Sequence, residues 1–348
     1  MKKKFLSAII CSMLATSVVL TGCGNNSPNY EGTYTGTAWK GQAEGVTLEE
    51  AKDKITSTIT VDSKGKITDA KFDFLVNKDG NWITRNNPEA TVTVDFSVDP
   101  TAATLNGEES TKGASMFDVK ANDAMSLYSV AVNEDGTVSV MLVDATTRYR
   151  YEAKLSKDFN FETKLADAKI GETWIPTVRE SSGGAMKITD WSEVNGKTIF
   201  GLSPFNHVMT RRGVLEGLSD ASTMKELVEA LGVTFENGVA KPMEAIYGYH
   251  SNGGWEGNYT AISEFLVGKN IEEVTGLVDY SEEKFAKAIN EDNFFGIDVP
   301  SGATKTVQDS FDTISGATVR MSRENEAYQR ALVDAGILKE EDIIKGRF

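Results

Sequence analysis

Two-residue alternation is the feature that most limits how this chain folds. Residues 58–61 alternate polar and apolar, Asp62 to Gly65 reads as a turn, and residues 66–74 alternate again. Residues 130–132, the Asn133-Glu134-Asp135-Gly136 turn and residues 137–142 have the same shape. Alternation of period two puts successive side chains on opposite faces of a strand, so both stretches read as β-hairpins. Their likeness is what any two hairpins share, which is preferred here to an internal repeat. Residues 91–96 and 148–151 read as further strands.

From about residue 156 the alternation fades and helical signals take over. Thr223 and Glu226 have capping-box spacing, with Leu227, Val228 and Leu231 behind them and Gly232 as a stop. Residues 260–267 place Ala261, Ile262, Phe265 and Leu266 on one face before Gly268. Ser281 would cap a helix over 282–289. A last helix is expected from Ser322 to Ala335, with Ala327, Leu332 and Ala335 inward and Gly336 closing it. Residues 197–200 and 238–240 read as short strands. The class is therefore α+β without regular βαβ units, a β-rich N-terminal domain over 30–160 followed by an α+β domain over 161–348.

Charge and rare residues narrow the function. The 36 Lys and Arg against 51 Asp and Glu leave a net charge of −15 over 348 residues. A surface this acidic repels a phosphate backbone, so no nucleic-acid partner is expected. His207 and His250 are the only histidines and no C-x-x-C-H occurs, so neither a His-rich metal site nor a multihaem role is expected.

The N-terminus reads as an address. Lys2, Lys3 and Lys4 precede an apolar run from Phe5 to Leu20, too short for a comfortable membrane span, and then Leu20-Thr21-Gly22-Cys23. This resembles a bacterial lipoprotein signal peptide (residues 1–22) with its lipobox, followed by a polar tether over 23–29. The resemblance implies cleavage before Cys23, lipidation of its sulfur and a position on the extracytoplasmic face of the cell membrane. Cys11 falls in the discarded segment, so the mature chain would have neither a disulfide nor a free thiol.

Two segments near the C-terminus carry chemistry. Residues 298–304 and 312–318 both read Asp-x-x-Ser-Gly-Ala-Thr. Gly316 permits a positive φ and a close backbone approach, and a helix a few residues on turns unpaired N–H groups toward the loop. Arg320 and Arg323 add positive charge in an acidic chain. The arrangement suits a phosphate.

These residues resemble the signature of FMN-binding domains, found in the flavin subunits of sodium-pumping NADH:quinone oxidoreductase and in flavinylated extracellular lipoproteins. The firm likeness covers about residues 307–336. A looser one takes in Gly32-Thr-Tyr-Thr-Gly-Thr37 and Gly65-Lys-Ile-Thr-Asp69. It implies that a flavin transferase moves FMN from FAD onto the last Thr as a phosphoester. Thr304 and Thr318 are the candidates. Thr318 is preferred because a strand-like lead-in precedes it and a helix follows, although Arg320 stands where family members usually have Thr or Ser. Ser315, Gly316 and Ala317 complete the cofactor loop. Asp312 either orients the hydroxyl or a transferase-borne metal, or caps the loop as an Asx-turn.

The expected function is a lipid-anchored flavoprotein that shuttles electrons between a membrane-bound donor and an external acceptor. It would be a carrier or reductase component rather than a stand-alone enzyme, with no catalytic residue or metal of its own. The alternative is a solute-binding lipoprotein of a transporter without flavin. The Gly-rich aromatic stretch 247–255 could wall the flavin ring or pack as a hairpin. Trp174-Ile175-Pro176 is expected at the domain junction.

Overall fold

A computed structural model describes residues 29–85, 90–105, 110–121, 125–144, 149–179, 191–192, 194–202, 209–279, 313–317, 319 and 321–346. The strands in chain order are β1 (Gly32–Trp39), β2 (Asp53–Val61), β3 (Ile67–Lys78), β4 (Asn81–Thr84), β5 (Ala90–Val94), β6 (Thr104–Leu105), β7 (Ser110–Thr111), β8 (Phe117–Ala121), β9 (Leu127–Val132), β10 (Val138–Val143), β11 (Tyr149–Leu155), β12 (Ile175–Arg179), β13 (Phe235–Glu236), β14 (Val239–Ala240) and β15 (Met243–Tyr249). The helices are α1 (Met224–Ala230), α2 (Gly254–Leu266) and, at the C-terminal end, α3 (Ser322–Asp334). The class is mixed α+β and rich in sheet, as the pattern predicts.

Two antiparallel sheets organise the molecule. One is a four-stranded meander in the order β1-β2-β3-β4; the other has five strands in the order β12-β11-β10-β9-β15. The first holds the β2–β3 hairpin. Asp62 Oδ1 accepts from the N–H groups of Lys64 and Lys66, both at 2.9 Å, and Gly65 takes φ 78°. Along β2, Ile55, Ser57, Ile59 and Val61 face inward while the threonines between them face out.

Helices α2 and α3 cover the inner face of this meander. Ile55, Ile59, Phe72 and Phe74 share a core with Trp255, Tyr259, Ile262 and Leu266 of α2 and with Ala327, Tyr328, Ala331 and Leu332 of α3. Gly36 is what lets α3 lie directly on β1. A Cβ there would overlap the Ala327 carbonyl oxygen and the Ala331 nitrogen. A glycine inside a strand marks this kind of close approach.

The five-stranded sheet supports a second core. Val130, Val132, Val138, Val140 and Leu142 pack with Leu165, Trp174, Ile199, Met209, Leu215 and Leu227. Its other face is covered by the β5–β8 ribbon, where Met116 and Phe117 meet Leu127, Met141 and Val143. That ribbon is pinned by Glu152, a fully buried carboxylate that accepts from Ser115 Oγ, Thr177 Oγ1 and the Met116 N–H.

The buried side chains do not sort at residue 160. The first meander belongs with helices near the C-terminus, and the strands of 127–155 belong with residues 161–240. Trp174 sits wholly inside the second core rather than at a junction. Other local expectations fare unevenly. Thr223 and Glu226 form the reciprocal capping box, and Gly336 closes α3 with φ 74°. Residues 197–200 are not a strand: an isolated Lys169–Thr198 bridge runs into a 3-10 turn over Ile199–Gly201. Helix α2 begins at Gly254, six residues before the expected Thr260. The helix expected at 282–289 lies outside the described residues.

Candidate functional site

The segment before α3 is a tight turn held from below by apolar anchors. Ile314, Ala317, Val319 and Met321 are buried in the core shared with α2 and α3. The Ala317 N–H donates to the Ile314 carbonyl at 3.1 Å, and Gly316 takes φ 96°, a left-handed conformation that favours glycine. Space is tight there as well. A Cβ would stand 3.0 Å from Arg212 Nη1 and 3.1 Å from Ala261 Cβ.

Two side chains outside the motif fix this turn. Arg212 Nη2 donates to Ser315 Oγ at 2.7 Å, with both residues exposed. Asn252 Nδ2 donates to the Gly316 carbonyl. Arg212 is brought there by the next residue: a Cβ at Gly213 would run into the His250 carbonyl and the Asn252 nitrogen, so the 212–213 turn presses against 250–252. Asn252, Gly253 and Gly254 all have positive φ, which turns the chain out of β15 and into α2.

His250 locks the seam from inside. It is fully buried, its Nε2 lies 2.9 Å from the Val143 carbonyl, and its backbone N–H donates to Ser126. Burial pushes its pKa down to about 4, so the ring is neutral at neutral pH and Nε2–H is the donor.

Helix α3 opens without a side-chain cap at Met321. Its first turn already holds a carboxylate, Glu324, which is wholly buried. Glu324 accepts from Arg323 Nε at 3.1 Å and from the Tyr259 hydroxyl at 3.0 Å. Burial is the largest single effect on Arg323 and works against its charge, but the Glu324 carboxylate, with smaller help from Tyr259 and Asp53, holds the guanidinium above its ordinary range. Burial raises the Tyr259 phenol, and the Glu324 charge adds to the effect. Arg323 lies 4.8 Å from the Trp255 ring centre and 5.1 Å from that of Phe74, with Arg85 5.0 Å from the latter. Arg323 is thus committed beneath the loop, while Arg212 stands at its rim.

The site residues expected from sequence divide as follows. Ser315, Gly316 and Ala317 are brought together in the turn. Thr318, Asp312, Thr304, Arg320, Cys23 and His207 lie outside the described residues. Of the aromatics in 247–255, Tyr247 on β15 is exposed whereas Trp255 is not. Trp255 packs edge-on to Phe74 with ring centres 4.6 Å apart. Sequence reasoning missed Arg212 and Asn252. For Asn252 a signal existed, since Trp255, Tyr259, Ile262 and Leu266 recur at helical spacing and place a helix start just after it.

A separate open groove of about 650 Å³ runs between β3 and α2, with Asp69, Asp73, Glu256 and Glu264 in its lining. These carboxylates repel an anion, whereas Arg212 puts a positive charge at the rim of the 315–317 turn. Among the described residues, no cluster of His, Cys, Asp and Glu is placed to hold a metal ion, and no helix is long and apolar enough to cross a membrane. No known protein family, curated protein or solved structure matches this chain.

Proposed function

We propose that this protein is a lipid-anchored, extracytoplasmic flavoprotein that holds FMN as a phosphoester on Thr318 and passes electrons from a membrane-bound donor to an external acceptor. The observation that carries the reading is the gathering of three distant stretches. Residues 32–37 lie in β1, residues 65–69 span the end of the β2–β3 turn and the start of β3, and the Ser315-Gly316-Ala317 turn leads into α3, which packs on β1. These are the three stretches in which the chain resembles FMN-binding domains, and all belong to one core.

The residues present fit a phosphate. A small-residue turn presents an exposed hydroxyl and buried backbone next to the Arg212 guanidinium, in a chain of net charge −15. Arg212 has five N–H donors, of which one is on Ser315 Oγ. When bound, FMN supplies one- and two-electron chemistry. The protein's share is to fix the phosphate, orient the ring and prevent loss. A covalent link suits a protein outside the cytoplasm, where dissociated FMN would be diluted away.

The test is a denaturing gel of the mature protein made together with a flavin transferase. The wild type should give a fluorescent band, because denaturation strips noncovalent flavin and leaves the ester. Thr318→Val keeps the side-chain shape but removes the nucleophilic oxygen, and the band should vanish. Thr304→Val should leave it. Loss in Thr304→Val alone would move the ester to the first motif. A wild type that never takes up flavin would overturn the reading in favour of a solute-binding lipoprotein.

A further inference from the structure

We infer that Arg212 is a positioning residue for the phosphate at this loop, neutralising it during flavin transfer and in the finished ester. The inference rests on the flavin reading above but concerns a residue far from the motif, delivered by the segment that carries the second core. Four observations converge on it. Arg212 Nη2 bonds Ser315 Oγ at 2.7 Å. Its Nη1 lies against Gly316, 3.0 Å from where a Cβ there would stand. Gly213 lets the turn press against 250–252, which fixes where the guanidinium reaches. Arg323, the other described arginine close to the loop in sequence, is bound to Glu324 and buried.

The chemistry needs a cation at this rim. FAD approaches an acidic protein as an anion, and the transfer keeps negative charge on phosphorus throughout. The Thr318 hydroxyl oxygen forms a bond to the flavin-side phosphorus of FAD. The phosphoanhydride bond on that phosphorus breaks, AMP leaves, and the hydroxyl proton passes to water. No electron changes hands. The product is a phosphodiester with one negative charge, which remains beside the loop. A guanidinium offers two parallel donors to two phosphate oxygens, a geometry that a lysine ammonium lacks. The Ser315 bond orients that fork before the substrate arrives.

The experiment uses the full mature chain with a purified flavin transferase and FAD, following formation of the fluorescent band over time. Arg212→Gln should slow the rate at saturating acceptor about tenfold, the effect of losing one charge-assisted contact. Its thermal midpoint should stay at the wild-type value, because the residue is exposed. Arg212→Lys should recover part of the rate by restoring charge without the fork. Raised salt should slow the wild type more than Arg212→Gln. An Arg212→Gln protein that is flavinylated at the wild-type rate would overturn the inference and leave the flavin reading intact. Equal losses in Gln and Lys variants with a lowered thermal midpoint would also overturn it, by showing a purely structural role. A wild type that takes up no flavin would remove both.

Discussion

The β2–β3 and β9–β10 hairpins share one turn and live in opposite surroundings. Each turn ends on a left-handed glycine, Gly65 or Gly136, and each is braced by an aspartate, Asp62 or Asp135, that accepts backbone N–H. Yet β2 is buried on one face only, whereas every residue of β9 and β10 is buried. The local code sets the hairpin; what covers it is set by partners far away in the chain. For β9–β10 those partners are the β5–β8 ribbon on one face and residues 161–240 on the other. For β2–β3 they are α2 and α3, up to about 280 residues on.

That contrast separates a core that closes locally from one that joins the two ends of the chain, and Gly36 is the place to break it. Gly36→Ala forces a Cβ into the backbone of α3. Overpacking against backbone has no rotamer escape, so a loss of at least about 3 kcal/mol is expected, read as a fall in the denaturant midpoint. The flavin band should weaken with it, since α3 and the loop share that core. Wild-type stability in Gly36→Ala would mean that α3 does not rest on β1.

A smaller effect probes the seam where the 212–213 turn meets residues 250–252. His250 is neutral and buried with a pKa of about 4, against about 6.5 when unfolded. The unfolded chain therefore binds the extra proton first as pH falls. This contribution is fully present above the unfolded value and is lost as pH drops from about 6.5 towards 4. Between about pH 7 and pH 5 it amounts to about 2 kcal/mol. His250→Gln should flatten the dependence of the thermal midpoint on pH in that window. An equally steep wild type and variant would show that His250 does not hold the seam.

Much of the local structure was legible, and the reasons are physical. Thr223 with Glu226 and the two Asp-braced turns are signals complete within four or five residues, and the structure has each of them. The Gly36 contact was not legible, because it depends on a helix some 290 residues away. Gly253 and Gly254 look like a loop and hide the start of α2, although the Trp255-Tyr259-Ile262-Leu266 spacing was there to read. The cut near residue 160 followed a change in pattern, but cores form by which faces meet in space. At the candidate site, the turn was visible in Ser315, Gly316 and Ala317. Arg212 was not, since nothing in the sequence pairs it with a serine 103 residues later.

The most direct test of the central claim is the intact mass of the mature protein produced with and without a flavin transferase. The account predicts that co-production raises the mass by one esterified FMN, that the addition survives denaturation, and that it maps to the peptide containing Thr318. An unchanged mass, with colourless protein in both preparations, would contradict it.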